Sequence, residues 1–227
     1  MTFHPLMGRA VKALDHSGSV CEFGNQRYTA DGKHKSVKDF YLANGYDNYI
    51  ALDVNTQKDA IICDLNVHVS HQGITNQYDL VTNNGTGEHI FNQYMVFRNH
   101  HDLTKEGGIM LFCLPLSPWI NHGFFNYNPI LFRDLSAIND YEVIYFWVGN
   151  RWGNYRTLPE DLLYKEKRPQ ELINIIHAIS SKGDAFCTVA MRKINNNEFN
   201  MPVQGKYQKD IESDELKRIY QPTAKEA

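Results

Sequence analysis

The chain has 227 residues, of which 42% are hydrophobic, 22% charged and 12% aromatic, and its net charge is −3. One domain of this length buries roughly 70 to 75% of its unfolded surface, so a compact fold without disulfides or a structural metal is expected and disorder is excluded. No basic block supplies the electrostatic footprint of a nucleic-acid binder, and the longest apolar run, Ile109 to Leu114, is far too short for a membrane span, so neither partner is expected.

Met7, Ala10, Val11 and Leu14 recur at helical spacing, predicting an amphipathic helix over 6–16 within a leading segment 1–17. That segment mixes His4, Arg9, Lys12 and Asp15 with no sustained apolar stretch, which argues against a signal peptide and for a cytoplasmic location. Ser19 to Phe23 reads as a strand ending at Gly24, and Val37, Phe40 and Tyr41 mark a helix closed by Gly45. Strands are predicted at Tyr49 to Val54, Ala60 to Leu65 and Tyr78 to Thr82. From Glu88 to Leu103 the pattern is helical, with an acidic first turn suited to the helix dipole and a stop at Gly107-Gly108. Ile109 to Leu114 is a strand, Asn128-Pro129 caps and opens a helix, and Tyr141 to Val148 is a strand. Residues 150–168 read as an insertion, Leu172, Ile173 and Ile176 as a helix within 150–183, and Asp184 to Arg192 as the last strand. A charged tail, 205–227, follows.

Seven strands alternating with helices predict one α/β domain over 1–227. The expected fold is Rossmann-like and doubly wound, with a mostly parallel seven-stranded sheet, an antiparallel edge and helices on both faces. Cys21, Cys63, Cys113 and Cys187 are widely spaced in apolar runs with no Cys-x-x-Cys pair, so they are expected to be buried reduced thiols, and no metal site is expected. Adjacent helical histidines point about 100° apart, so His100-His101-Asp102 reads as a solvated face, not a ligand set.

Ligands of doubly wound sheets bind beyond the carboxyl ends of the strands. Polar residues stand there in order: Glu22 and Gly24, then Asp53 and Asn55, Asp64 and Asn66, and Asn83 and Asn84. A carboxylate after the second strand suits the two hydroxyls of a ribose, and Asp64 suits an adenine amino group.

These residues resemble the class I S-adenosylmethionine-dependent methyltransferases over residues 18–193. Ser19-Val-Cys-Glu-Phe-Gly24 resembles the family's first motif, Tyr49-Ile-Ala-Leu-Asp53 its ribose-binding strand, and Asp59-Ala-Ile-Ile-Cys-Asp-Leu65 its adenine-contacting segment. Tyr78-Asp-Leu-Val with Glu88-His89, and Thr104-Lys-Glu-Gly-Gly-Ile-Met, resemble later elements. The chain departs from the family at Gly24-Asn25-Gln26, where Gly-x-Gly is usual and only a subset of members carries one glycine and a polar pair. The resemblance implies S-adenosylmethionine as cofactor, held by Glu22, Gly24, Asn25, Gln26, Asp53, Val54, Asp64, Leu65, Asn83 and Asn84. It implies a small-molecule acceptor methylated at oxygen or nitrogen.

The loop from Pro115 to Asn128 carries Trp119, Asn121, His122, Phe124, Phe125 and Tyr127 around Gly123 and is similar to an Asn-His-Gly-Phe-Phe stretch of some members. It is expected to wall the acceptor, with His122 as general base and His89, Asn121 and Tyr127 binding substrate. Two other readings stay open. One is a degenerate cofactor-binding or interaction module; the other is an NAD(P)-dependent oxidoreductase, which the missing Gly-x-Gly-x-x-Gly disfavours.

Overall fold

The computed structural model describes residues 2–55, 60–159, 162, 170–181 and 183–220. Asp59, most of the segment 160–169 and the tail beyond 220 lie outside the described residues.

Among the described residues ten strands run in chain order: β1 (Thr2–Phe3), β2 (Gly18–Phe23), β3 (Arg27–Tyr28), β4 (Tyr46–Asp53), β5 (Ala60–Ile62), β6 (Tyr78–Asn84), β7 (Thr104–Ser117), β8 (Glu142–Asn150), β9 (Tyr155–Thr157) and β10 (Ala185–Arg192). Eight of them form the central sheet in the order β5-β4-β2-β6-β7-β10-β8-β9, and β1 pairs in parallel with β3 beside it. The strands from β5 to β7 are mutually parallel, while β10 runs antiparallel to both β7 and β8. The predicted mostly parallel sheet with an antiparallel edge is present. Its eighth strand, β9, is a three-residue hairpin partner of β8 in the stretch read as an insertion. The chain moves outward from β2 through β4 to β5 and then returns to the other side of β2 as β6, so the order reverses between β2 and β6.

Helices cover both faces because successive strand residues point to opposite sides. Leu111 and Cys113 of β7 pack with α1 (Pro5–Lys12) and α2 (Val37–Ala43), in a cluster containing Phe3, Leu6, Met7, Phe40 and Tyr41. The alternate residues Met110, Phe112 and Leu114 pack on the opposite face with Phe97 of α3 (Gln93–Leu103), Phe132 and Leu135 of α4 (Pro129–Ile138) and Ile179 of α5 (Gln170–Ser180). A third cluster joins Cys21, Phe23, Leu52 and Val81 to Leu65, Val69 and Leu103. A 3-10 turn at Gly205–Asp210 and α6 (Asp214–Tyr220) follow, and Gly205 N–H donates to Asp134 Oδ2 at 3.2 Å.

Several local expectations change. The N-terminal helix ends at Lys12, not residue 16. The helix predicted from Glu88 begins at Gln93, because Asn92 is the N-cap and accepts from Met95 N–H at 3.3 Å. Glu88 lies in a separate 3-10 turn, Gly87–His89, and is buried, so it offers no acidic first turn to α3. Gly107-Gly108 does not stop that helix, which ends at Leu103. The glycine pair lies in β7, where Gly107 N–H donates to Lys193 O at 2.7 Å. His100 and His101 are buried rather than solvated. His100 sits between the rings of Phe23 and Phe112, while His101 bonds Tyr141 Oη at 2.6 Å and Asn197 O at 2.9 Å.

All four cysteines are free and buried. Among the described residues, no helix is long and apolar enough to cross a membrane.

Candidate active site at the strand ends

β2 and β4 end side by side, and their loops are tied together. Gly24 N–H donates to Leu52 O at 2.8 Å, and Asn25 N–H donates to Asp53 Oδ2 at 2.7 Å. Asp53 Oδ1 also accepts from Asn55 N–H at 3.2 Å, so two backbone amides orient this half-buried carboxylate. Gly24 has φ +81, and a side chain there would collide with Thr86, whose hydroxyl donates to Phe23 O at 2.6 Å. Gln26 Nε2 donates to the same hydroxyl at 3.1 Å. The glycine of the variant loop thus admits Thr86 from the loop after β6.

Glu22 is fully buried and accepts from Tyr49 Oη at 2.7 Å. Burial pushes its carboxyl up to about 8 against the opposing pull of the Tyr49 and Thr82 hydroxyls. Tyr49 also borders a cavity of about 520 Å³ between Asn25, Gln26 and residues 35–39 at the start of α2.

Val54 is exposed. Asp64 is exposed too and accepts from Asn66 N–H and Nδ2, each at 2.9 Å, while Leu65 is buried in the third cluster. Asn66 continues to the cap of α3, accepting from Asn92 N–H at 3.1 Å. Asn83 is buried and accepts from Gly87 N–H at 2.9 Å, and Asn84 Nδ2 donates to Thr2 O at 3.2 Å.

Beyond β6 and β7 lies a second cavity, of about 410 Å³, walled by His4, Asn84, Glu88, Trp119, His122 and Arg151 among others. The loop 118–124 is pinned to the Glu88 turn, since Phe124 N–H donates to Glu88 O at 2.8 Å. Only glycine allows that approach: a Cβ on Gly123 would lie 2.7 Å from Glu88 Cγ. Docking brings His122 Nε2 to 3.6 Å from Glu88 Oε1, with His89 Nε2 at 3.8 Å from the same oxygen. Glu88 is 1% exposed, its Oε2 has no hydrogen-bond partner among the described residues, and burial raises its carboxyl to about 7. The Trp119 ring lies 4.6 Å from that of His122, tilted by 48°, and donates its Nε1–H to Ala185 O at 2.9 Å, while Arg151 lies over the same indole and pairs with Asp184. His4 contacts Phe186 at 4.6 Å, and burial lowers its pKa to about 4.

The sequence-predicted residues therefore fall into three groups. Gly24, Asn25, Gln26 and Asp53 converge on the β2 and β4 ends, with Glu22 beneath them. Asn84 and His122 line the second cavity, and His89 meets His122 beside Glu88. Asn121 is an exposed turn residue with φ +57, and Tyr127 is buried in the second cluster, donating its hydroxyl to Gln93 Oε1 at 2.8 Å. Sequence reasoning assigned no site role to Glu88, His4, Thr86 or Arg151. For Glu88 a signal existed: Asn92 is the stronger capping residue, and starting α3 there frees Glu88 from the helix.

Neither a protein-family model nor a curated protein matches the sequence. Among solved structures, the chain is similar to a methyltransferase of Haloferax volcanii in complex with the Trm112 activator, at 9% identity and TM-score 0.52 over 81% of this chain and 88% of that one. It is also similar to a TehB-like methyltransferase of Corynebacterium glutamicum, at 13% identity and TM-score 0.49 over 82% and 86%. An O-methyltransferase of Brevibacillus brevis in complex with S-adenosyl-L-homocysteine matches at 11% identity and TM-score 0.49 over 84% and 73%.

Proposed function

The Rossmann-like fold of S-adenosylmethionine-dependent methyltransferases is the fold of this chain, and we propose that it shares their chemistry, passing the methyl group of S-adenosylmethionine to a small molecule in the 410 Å³ cavity. The observation that carries this reading is Asp53. It ends β4 beside β2 and is oriented by the Asn25 and Asn55 amides, a carboxylate placed where a ribose diol would donate. The residues present fit the cofactor. Asp53 would hold the ribose, the loop of Gly24 to Gln26 would border its methionine part, and Asp64 and Leu65 would border the base.

The bound cofactor supplies an electrophilic methyl. Its sulfonium sulfur would keep the bonding pair, and an oxygen or nitrogen of the acceptor would form the new bond to the methyl and give up a proton. Most of the rate then comes from holding acceptor and methyl in line. His122 faces the cavity beside a carboxylate, which suits the task of accepting that proton. The expected acceptor is a metabolite, and the location cytoplasmic.

The test is transfer of isotopically labelled methyl into a metabolite extract, followed by kinetics on the acceptor found. His122→Ala should lower kcat by about 10² to 10⁴ and leave cofactor affinity within about twofold. Retained kcat would remove His122 from the chemistry, and parallel loss of cofactor binding would make it structural.

A further inference from the structure

We propose that Glu88, His89 and His122 together bind a divalent first-row transition-metal ion at the wall of the 410 Å³ cavity. One ligand atom from each lies within 4.8 Å of the other two, and both imidazole Nε2 atoms face Glu88 Oε1, at 3.6 and 3.8 Å. Tetrahedral ligands about 2.0 to 2.1 Å from a zinc-sized ion stand about 3.3 Å apart, so the two Glu88–histidine distances need to shorten by a few tenths of an ångström and the two imidazole nitrogens, within 4.8 Å of each other, by up to about 1.5 Å. His122, on an exposed loop, is free to supply that shift.

The constellation is built rather than incidental. Glu88 is buried, its Oε2 without a hydrogen-bond partner among the described residues, and a carboxylate taken out of water is costly unless paired or metal-bound. His122 is brought to it by the docked loop, which the Phe124–Glu88 backbone bond and the missing side chain of Gly123 make possible. Two imidazoles and one carboxylate suit iron, manganese, cobalt or zinc and not magnesium or calcium, which prefer oxygen throughout.

Three protein ligands leave positions open toward the cavity. The ion's role rests on the proposed function, although its binding does not. Coordinated there, an acceptor hydroxyl would become acidic enough to lose its proton to solvent, and His122 would serve as a ligand in the loaded protein. The acceptor atom is then oxygen.

The test uses untagged full-length protein, stripped with chelator and titrated with Co²⁺ alone while visible d–d absorption is followed. The expected result is saturable binding at one ion per chain, displaced by Zn²⁺. His122→Ala and Glu88→Gln should each weaken it by at least about ten- to a hundredfold. His177→Ala, on an exposed helix surface, should leave it unchanged. Absent bands, or bands that persist unchanged in both His122→Ala and Glu88→Gln, would overturn the proposal. His122 is exposed, so its variant should fold even if a change at Glu88 does not. Metal binding without methyl transfer would count against the proposed function alone; transfer by metal-free protein would count against the ion.

Discussion

Glu22 shows most simply how this fold handles a carboxylate it cannot solvate. Its pKa in the folded chain is about 8 against an ordinary value of 4.5, so the native state holds a proton that the unfolded chain gives up. The stability linked to that proton is complete below pH 4.5 and is lost as pH rises through 8. Glu22→Gln keeps the neutral form, so its melting temperature should gain on the wild type between pH 5 and pH 8. The advantage should reach the order of a few kcal/mol, and a constant difference across that range would show that Glu22 is ionised in the native protein. Glu22 was legible in sequence as a polar residue at the end of a strand. Its partner, Tyr49, was not legible, because their contact depends on the parallel register of β2 and β4. His100 misled for a similar reason: polar residues on a helix suggest solvent, but Phe23 and Phe112 close over it from two strands.

At the scale of elements, the loop between β7 and α4 carries the site. Asn128 and Pro129 fix its far end at the start of α4, and Tyr127 N–H anchors it to Pro115 O at 2.7 Å. Gly123 lets its middle rest on Glu88. Gly123→Ala should lift that contact, lowering turnover as His122→Ala does with cofactor affinity unchanged. The overpacking costs about 1 to 3 kcal/mol and should reduce the melting temperature by several degrees. Turnover equal to the wild type would show that the docked loop is not the reactive arrangement. The sequence announced this loop through its aromatic and polar residues after a strand, and α4 through its Asn-Pro start. It misassigned Gly107-Gly108, because a glycine pair after a helical run is the ordinary stop signal. Here Thr104 Oγ1 already caps His100 O at 2.6 Å, and the glycines shape the end of the β7 ladder instead.

For the whole molecule, buried titratable groups set opposing pH trends. Burial holds His4 and His101 down to about 4 and His100 to about 3, so unfolding lets them bind protons below pH 6.5 and stability falls as pH drops from there. Glu22 and Glu88, raised to about 8 and 7, act oppositely, and stability falls as pH rises above 4.5 toward those values. These histidines, with His16 and His89 lowered by burial as well, outweigh the two carboxylates between pH 4.5 and 6.5, and above that the carboxylates dominate. The melting temperature should therefore peak near pH 6.5, and a plateau from pH 5 to 8 would contradict the burial of these groups.

The architecture itself was the most legible part, since strand and helix periods repeat through the chain and fix a parallel sheet. The meeting of Glu88, His89 and His122 was the least legible, because residues 33 positions apart are joined by loop docking that no periodicity records. The central claim is that the adjoining ends of β2 and β4 hold S-adenosylmethionine through Asp53. Calorimetric titration with S-adenosylhomocysteine tests it directly. One site per chain is predicted, weakened about ten- to a hundredfold by Asp53→Ala, as expected when hydrogen bonds to a charged group are lost. No binding to the wild type, or the same affinity in the variant, would contradict it.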